Sequence, residues 1–271
     1  MNDFPHLTFI GAGNMAGSII GGLVKSDYPA EKITASDPTE TNLARLAQKY
    51  GIHTCTSNPV ASRQAEVLIL CVKPQILQAV CEGLAPELTR SPLIISIAAG
   101  MDTHCIDTWL GGGHPVIRCM PNTPALVQQG ATGMFANEQV TERQRAIASH
   151  IFSSVGLVEW VECEDRMHAV TALSGSGPAY FFLIMEALED AAKKTGMPEQ
   201  SARKLGIQTM LGAAAMAQQS NLSPGQLKQN VMSPGGTTEQ AINTFEARGI
   251  REIVDSALHA AVQRSRELSG R

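Results

Sequence analysis

Several features that mark common classes of protein are missing from this chain. Its formal net charge is only −4, so it has none of the basic excess that attracts nucleic acid or an anionic membrane. The most apolar stretch, 179–188, is interrupted by Glu186 and is too short to span a bilayer. The first residues contain neither a basic segment nor an apolar one, so no secretory signal is predicted. We therefore expect a cytoplasmic protein with no nucleic-acid or membrane partner.

Metal sites and disulfides are not indicated either. No two of the six cysteines have CxxC spacing and most lie in apolar runs, which is typical of buried free thiols in a reducing cytosol. The seven histidines show no ligand spacing, so no metal is predicted. The spacing also indicates no Ser–His–Asp group and no pair of catalytic carboxylates.

The pattern of the chain changes near residue 162. Before it, apolar runs alternate with amphipathic stretches such as 15–25 and 41–50, which is typical of βαβ units around a parallel sheet. The predicted strands are 6–10, 32–36, 67–72, 93–98, 116–120 and 158–161. The predicted helices that follow are 179–195, 200–220, 224–231, 238–247 and 250–268. The sequence thus predicts an α/β fold, with a Rossmann-type dinucleotide-binding domain at residues 1–162 and an all-α domain at 163–271.

Small and polar residues set details of the helical half. Ser223 and Pro224 suit the N-cap and first position of one helix, while Thr237 and Gln240 have the spacing of a capping box. Small residues cluster on the predicted helix 200–220, at Gly212, Ala213, Ala214, Ala215 and Ala217. This cluster favours close helix packing, either between two subunits or within one.

A glycine-rich turn follows the first predicted strand. The segment Gly11-Ala12-Gly13-Asn14-Met15-Ala16 is GxGxxA between a strand and a helix, the arrangement that binds the pyrophosphate of a dinucleotide. Gly11 permits the turn, Gly13 lets the backbone approach the phosphates, and Ala16 lets the helix pack on the strand. The alternative is a tight βα turn without a ligand.

The end of the second strand leaves the choice between NADH and NADPH open. Asp37 can accept hydrogen bonds from an adenosine ribose and repel a 2′-phosphate, which favours NADH, or it can simply cap the next helix. Ser36, Thr39, Thr41 and Arg45 could instead serve a phosphate, which favours NADPH.

Two further loops follow predicted strands and are expected on the cofactor side of the sheet. They are Val72-Lys73-Pro74 and the segment 120–124, in which two prolines flank the polar pair that includes Asn122. Lys73 is equally well explained as an ordinary surface lysine.

Two segments of small residues precede helices in the second half. They are 174–178, which contains Ser176, and 233–238. We expect both to be loops that lead into helix N-termini, where backbone amides could hold an anion. The alternative for each is a well-formed helix cap.

The order GAGNMA, CVKP, MPNTP, SGSGPAY and SPGGTT resembles the pyrroline-5-carboxylate reductase family over nearly the whole chain. The resemblance implies a Rossmann-type domain followed by a helical domain that interlocks into a homodimer, with an active site that includes residues of the partner subunit. It also implies reduction of the cyclic imine Δ1-pyrroline-5-carboxylate to L-proline by NADPH or NADH. Rings of dimers occur in this family, so dimer and decamer both remain open.

The resemblance also assigns roles at matching positions. Ser233 and the amides of Gly236 and Thr237 would bind the substrate carboxylate, with Gly235 in the same turn. The hydroxyl of Thr238 would lie by the ring nitrogen as the one catalytic group. Ser176 would contact substrate, and Asn230 would face the cofactor. The sequence departs from the family pattern at Gln229, where an acid is common, and at Met232, where a smaller residue is common.

Two other functions remain as alternatives. A β-hydroxyacid dehydrogenase-like reductase would need a lysine within the helix 179–195, where Lys193 and Lys194 lie only at the very end. A nucleotide-sensing protein without turnover would share the fold but not the activity.

Overall fold

The structure is a computed structural model that describes residues 4–269. The chain divides into two compact units. One contains the residues up to Pro178 together with those from Ala261 onward, and the other contains Ala179–Ala260. The predicted domain boundary at residue 162 stays a prediction.

The first unit contains one eight-stranded sheet. Its strands are β1 (Leu7–Ile10), β2 (Ile33–Ser36), β3 (His53–Cys55), β4 (Val67–Leu70), β5 (Leu93–Ser96), β6 (Val116–Met120), β7 (Gly130–Ala136) and β8 (Gly156–Trp160). Their order across the sheet is β3-β2-β1-β4-β5-β6-β7-β8. Strands β1 to β6 are parallel, whereas β7 runs antiparallel to β6 and parallel to β8. The α/β Rossmann-type prediction is confirmed, but the sheet is not parallel throughout.

Helices cover both faces of this sheet, as the alternating pattern predicts. They are α1 (Asn14–Lys25), α2 (Glu40–Tyr50), α3 (Asn58–Ser62), α4 (Pro74–Leu84), α5 (Thr103–Trp109), α6 (Glu142–Ser153) and α7 (Arg166–Val170). Strands β1, β4 and β5 are buried along their whole length because apolar helices pack on each face. One core cluster contains Ile19 and Ile69, and the other contains Leu68 and Leu77.

Glycines in α1 let this helix pack closely on its neighbours. A Cβ at residue 17 would lie 3.2 Å from Leu46, and one at residue 21 would lie 2.5 Å from the Tyr50 hydroxyl. Ala16, for which close packing of helix on strand is predicted, is buried. The contacts at Gly17 and Gly21 are instead with α2, one and two helical turns from the N-terminus.

Strands β3 and β7 and helices α3 to α7 are absent from the sequence predictions. The three exposed or half-buried residues of β3 form an edge strand, which lacks an apolar run. Strand β7 reads GATGMFA, and its small residues have low β-propensity. A side chain at residue 133 would clash with Val170, so tertiary packing rather than strand propensity selects glycine there.

The helices of the second half lie within about two residues of their predicted bounds. They are α8 (Gly177–Lys194), α9 (Glu199–Gln219), α10 (Pro224–Val231), α11 (Thr237–Ala247) and α12 (Ile250–Leu268). Ser223 caps α10 as predicted, in a full capping box with Gln226. The prediction of a capping box formed by Thr237 and Gln240 is wrong, because the N-cap of α11 is Gly236 and no side chain caps this end.

The segment 174–178 is not the loop that the sequence predicts. Helix α7 continues directly into a π-helical turn at Thr171–Gly175, which runs on to α8. The Ser176 amide donates to the Thr171 carbonyl over 2.9 Å, the i to i+5 bond of a π-helix. The Ser176 amide is therefore already bonded to the backbone, and an anion held by amides of this segment stays a prediction.

All six thiols are free, but they differ in exposure. Cys81 and Cys119 are buried, whereas Cys163 is exposed, which corrects the expectation of burial for that residue. Burial raises the pKa of the Cys81 thiol to about 12. Within the described residues, no helix is long and apolar enough to cross a membrane.

Candidate functional site

The carboxyl ends of the parallel strands form the ligand edge of the first unit. The strand order reverses at β1, which lies between β2 and β4. In open α/β sheets, ligands bind beyond the carboxyl ends of the strands at such a switch point. Apart from Asn230, which lies on α10 of the second unit, the predicted cofactor residues lie at or after the ends of β1, β2, β4 and β6, so the topology places them on this edge.

The glycine-rich turn has the backbone geometry that a pyrophosphate site requires. Gly11 has φ of 102°, and a Cβ there would lie 2.8 Å from the Cys71 carbonyl oxygen, so no side chain fits. A Cβ at Gly13 would meet nothing within 4 Å, so the backbone faces open space. Gly13 is the N-cap of α1, and no side chain caps this helix end.

The first-turn amides of α1 are available to a ligand. The N–H groups of Asn14, Met15 and Ala16 have no acceptor among the residues described here. They belong to a 12-residue helix whose N-terminus carries a partial positive charge, so an anion at Gly13 would be stabilised.

Asp37 ties the glycine-rich turn to the end of β2. Its Oδ2 accepts a hydrogen bond from the Ala12 amide over 2.8 Å, and its Oδ1 accepts one from the Thr39 amide over 2.8 Å. Both carboxylate oxygens thus accept hydrogen bonds from backbone amides, although each has a second lone pair that can accept another hydrogen bond. The alternative that Asp37 caps the next helix is wrong, because the N-cap of α2 is Thr39 and no side chain caps this end. Ribose binding by Asp37 stays a prediction.

Two other polar side chains near Asp37, those of Ser36 and Arg45, already make hydrogen bonds within the first unit. The buried Ser36 hydroxyl donates to Asn58 Oδ1 over 2.7 Å, so Ser36 orients Asn58 and has no hydrogen left to offer a phosphate. Asn58 is the first residue of α3 and follows the loop from β3. Nothing in the sequence analysis pointed to this residue. Arg45 is exposed and donates to the Ala12 carbonyl over 3.4 Å, which brings a cation next to the glycine-rich turn.

Strand β4 delivers the predicted loop Val72-Lys73-Pro74 to the same edge. The Cys71 amide donates to the Ile10 carbonyl over 2.8 Å, which fixes this loop beside Gly11. Pro74 begins α4, and Lys73 is its exposed N-cap. The segment 97–100 after β5 occupies the equivalent position, and the sequence analysis missed it although it follows an apolar run in the same way.

Asn122 follows β6 and is only 9% exposed. Its Nδ2 donates to the Ser174 carbonyl over 3.0 Å, and its Oδ1 accepts from the Ala131 amide over 2.9 Å. The side chain therefore connects three segments of the first unit. Its prediction as a cofactor-binding residue stays a prediction. Ser176 lies two residues beyond Ser174, half-buried after the π-helical turn.

In the second unit, the turn 233–236 leads into α11. The Gly236 amide donates to the Ser233 carbonyl over 2.9 Å, so it closes the turn instead of pointing to a ligand. Gly235 has φ of 71°, which favours glycine. A Cβ at residue 236 would lie 2.5 Å from Ser233 Oγ, so a side chain at this position would displace the Ser233 hydroxyl. The two glycines thus fix the shape of the turn.

The N-terminus of α11 offers hydrogen-bond donors. Within the described part of the chain, the amides of Thr237 and Thr238 have no acceptor, and the Thr238 hydroxyl has no hydrogen-bond partner. Glu239, which the sequence analysis missed, accepts the Gly235 amide over 2.8 Å and brings a carboxylate to this turn. Asn230 is exposed near the end of α10.

No group of three or more His, Cys, Asp or Glu side chains that could hold a metal ion occurs among residues 4–269.

Two family models match the chain. The model described as pyrroline-5-carboxylate reductase dimerisation matches residues 164–268, and the one described as NADP oxidoreductase, coenzyme F420-dependent, matches residues 6–100. Among curated proteins, the pyrroline-5-carboxylate reductase of Pseudomonas aeruginosa is 50% identical, over 98% of this chain and 97% of that protein. The enzyme of the same name from Haemophilus influenzae is 42% identical, over 97% of each chain.

Solved structures give the same result. The structure of a pyrroline-5-carboxylate reductase from Coxiella burnetii superposes with a TM-score of 0.95 at 46% identity, and the match covers 98% of this chain and 99% of that one. The pyrroline carboxylate reductase of Plasmodium falciparum, with NADP bound, has a TM-score of 0.87 at 29% identity, over 98% of each chain.

Proposed function

Because this chain belongs to the pyrroline-5-carboxylate reductase family, we propose that it reduces the C=N bond of Δ1-pyrroline-5-carboxylate to give L-proline, the final step of proline biosynthesis. It is an NAD(P)H-dependent oxidoreductase. The observation that carries this function is the similarity at 50% identity over 98% of the chain, which includes both the glycine-rich turn and the turn before α11.

The residues of the first unit fit a dinucleotide. The open space at Gly13 and the unpartnered amides of α1 suit a pyrophosphate, and the side-chain-free position at Gly11 keeps the turn close to β4. When bound, NAD(P)H supplies the hydride. The loops that follow β4 and β5 are the segments on this edge that we expect to face the nicotinamide ring.

We assign the substrate carboxylate to the turn before α11. The amides of Thr237 and Thr238 and the exposed Ser233 hydroxyl are donors for a carboxylate, and the helix N-terminus favours its charge. The hydroxyl of Thr238 would donate to the ring nitrogen of a neutral imine or orient the protonated one. A protonated C=N carbon is already a strong acceptor, so binding and orientation supply most of what the protein must do.

Self-association is part of this assignment. The dimerisation family matches residues 164–268, which supports assembly of this chain with a second copy. We propose a homodimer whose active sites each combine both subunits, with a decamer as the larger alternative. We also propose the cytoplasm as its compartment, which the six free thiols support.

One observation weighs against the β-hydroxyacid dehydrogenase alternative. Lys193 pairs with Asp190 over 2.7 Å at the exposed end of α8, and this ion pair raises the pKa of its ammonium group. A lysine that stays charged and exposed is a poor match for a buried acid–base catalyst.

The proposed reaction is tested by mixing the purified protein with pyrroline-5-carboxylate and following the absorbance of NADPH and of NADH in parallel. Turnover with proline as product supports the function, and the ratio of the two kcat/KM values measures cofactor preference. A folded protein that binds nucleotide but oxidises neither cofactor would contradict it and favour a nucleotide sensor. If the protein oxidised NADPH or NADH only when the keto form of a β-hydroxyacid was added, the dehydrogenase alternative would be favoured.

The role of Thr238 has its own test. We expect Thr238→Ala to lower kcat by roughly 10- to 100-fold, because the nitrogen loses its oriented donor, while KM for NADPH stays unchanged. Thr244→Ala is the matched control, since Thr244 lies in the same helix and its hydroxyl bonds only the Gln240 carbonyl. Equal kcat values for the wild type and Thr238→Ala would remove Thr238 from the mechanism.

A further inference from the structure

We propose that Asn122 is a positioning residue that holds the π-helical turn Thr171–Gly175 and thereby sets the place of Ser176 at the substrate. This inference rests on the proposed function and changes the role of one residue. The sequence analysis assigned Asn122 to the cofactor, whereas its contacts lead to the segment that contributes Ser176. All the residues concerned belong to the first unit.

Asn122 is built into the structure as a connector. Its side chain is 9% exposed, its Oδ1 accepts from the Ala131 amide over 2.9 Å, and its Nδ2 donates to the Ser174 carbonyl over 3.0 Å. The first bond fixes the side chain on β7, and the second extends from there to the π-helical turn. A buried amide with both ends committed costs stability when one partner is removed, so its orientation is well determined.

The sequence removes one backbone donor for the Ser174 carbonyl. In an α-helix, the carbonyl of residue 174 would accept from the amide of residue 178, but Pro178 has no N–H. Asn122 Nδ2 provides a side-chain N–H in its place. The hydroxyl groups in this segment are also turned inward, since Ser174 Oγ donates to the Val170 carbonyl and Thr171 Oγ1 to the Met167 carbonyl.

Packing holds the same turn from the side of the sheet. A Cβ at residue 175 would lie 2.5 Å from Met120 Cε, so Gly175 lets the turn approach the end of β6. A Cβ at residue 133 would overlap the side chain of Val170, so Gly133 lets α7 approach β7. The turn is thus held between β6 and β7 by these packing contacts and by the hydrogen bond from Asn122, an arrangement that we call the clamp. Ser176 follows it directly, half-buried and bonded through its amide to Thr171.

Asn137 offers a matched control at the opposite end of the same strand pair. Its Oδ1 accepts from the Val116 amide over 3.0 Å, and its Nδ2 donates to the His114 carbonyl over 3.0 Å. It therefore makes the same two kinds of bond as Asn122. However, it does so at the amino end of β6, away from the edge that carries the predicted ligand residues.

The test compares Asn122→Ala with Asn137→Ala in the full-length protein. We expect both variants to lose thermal stability, but only Asn122→Ala to raise KM for pyrroline-5-carboxylate, by roughly tenfold, the factor that corresponds to one lost hydrogen bond. KM for NADPH should stay within about twofold of the wild type in both. A rise in KM for NADPH instead, or equal effects of the two variants on the imine, would overturn the inference.

A rescue variant separates positioning from general damage. Pro178→Ala gives residue 178 an N–H at the position from which an α-helix donates to the carbonyl of residue 174, so adding it to Asn122→Ala should recover most of the lost affinity for the imine. Pro178→Ala alone should behave like the wild type. Failure of the double variant to recover, in a folded protein, would overturn the role of the Ser174 carbonyl.

Hydrogen exchange provides a readout that does not depend on turnover. Amides in 171–176 should exchange faster in Asn122→Ala than in the wild type and should be unaffected in Asn137→Ala. Unchanged exchange in that segment would overturn the inference even if the enzyme reduces the imine. Faster exchange in a protein whose wild type shows no turnover would instead contradict the proposed function and leave the clamp itself supported.

Discussion

The two units of this chain differ in how they bury apolar side chains. Strands β1, β4 and β5 are buried throughout, and Phe9 and Phe152 are fully inaccessible. In the helical unit Ala179–Ala260, Ala202 is the one side chain in the buried class, while Phe182 is 62% exposed and Leu211 is 61% exposed. The first unit therefore has its own core, and the helical unit of a single chain does not.

This difference explains why the match to a dimerisation family falls on the helical half. Helices with many large apolar side chains on their surface favour burial against another surface, so these exposed side chains indicate an interaction site. The small residues on α9 fit the same explanation, since a Cβ at Gly212 would meet nothing within 4 Å of its own chain. Because the turn before α11 belongs to this unit, we expect substrate binding to depend on assembly, and nucleotide binding to depend on it much less.

The largest expected effect comes from a charge on the exposed apolar surface of α9. Leu211→Asp should convert the assembly to monomers and lower kcat/KM by more than about 100-fold, because a buried unpaired carboxylate costs several kcal/mol at an interface. Nucleotide binding by the first unit should remain. Light scattering with size-exclusion chromatography gives the mass, and fluorescence titration gives the affinity for NADPH.

Leu157→Asp is the matched control for this experiment. Leu157 is 67% exposed on the edge strand β8 of the first unit, so the same substitution adds the same charge to a unit with its own core. We expect no change in mass. An unchanged mass for Leu211→Asp, or equal losses of kcat/KM for the two variants, would contradict the assignment of assembly to the helical unit and of nucleotide binding to the first unit.

A second comparison concerns the glycines of the nucleotide turn. Gly11→Ala places a Cβ 2.8 Å from the Cys71 carbonyl at φ of 102°, so it should cost about 1–3 kcal/mol of stability as well as nucleotide binding. Gly13→Ala places its Cβ in open space, so it should leave the melting temperature unchanged while weakening NADPH binding roughly tenfold. Calorimetry and fluorescence titration check the two effects separately. If Gly13→Ala binds NADPH as tightly as the wild type, no phosphate lies against this backbone.

The same two positions illustrate what the sequence could predict. The GxGxxA pattern between a strand and a helix specifies local backbone geometry, and Gly11, Gly13 and the N-terminus of α1 have the geometry that it predicts. The helical half was also predictable, because Ser223 and Pro224 start a helix through local contacts. Features that depend on distant contacts were not: strand β7 is composed of small residues that only their neighbours stabilise.

The candidate site divides in the same way. The segment 174–178 contains two glycines and a proline, which locally predict a loop. Instead, Ser174 and Gly175 end a π-helical turn that continues α7 and is bonded to Asn122, and Gly177 and Pro178 begin α8. The Ser36 hydroxyl donates its hydrogen to Asn58, and this bond joins the end of β2 to the segment after β3. The sequence alone does not reveal a contact between two such distant segments. The segment 97–100 is different, since its position after an apolar run was visible in the sequence.

The smallest expected effect tests the electrostatics of the substrate turn. Glu239 accepts the Gly235 amide over 2.8 Å, which places a negative charge beside the proposed carboxylate site. Glu239→Gln keeps an oxygen acceptor for that amide but removes the charge, so KM for the imine should fall about threefold, as expected for one partly screened like charge. Glu199→Gln, which neutralises an exposed acid in the first turn of α9, is the control and should change nothing. The difference between the two variants should shrink in high salt, since ions screen exposed charges. A lower KM that persists unchanged at high ionic strength would indicate that the shape of the turn, and not its charge, limits substrate binding.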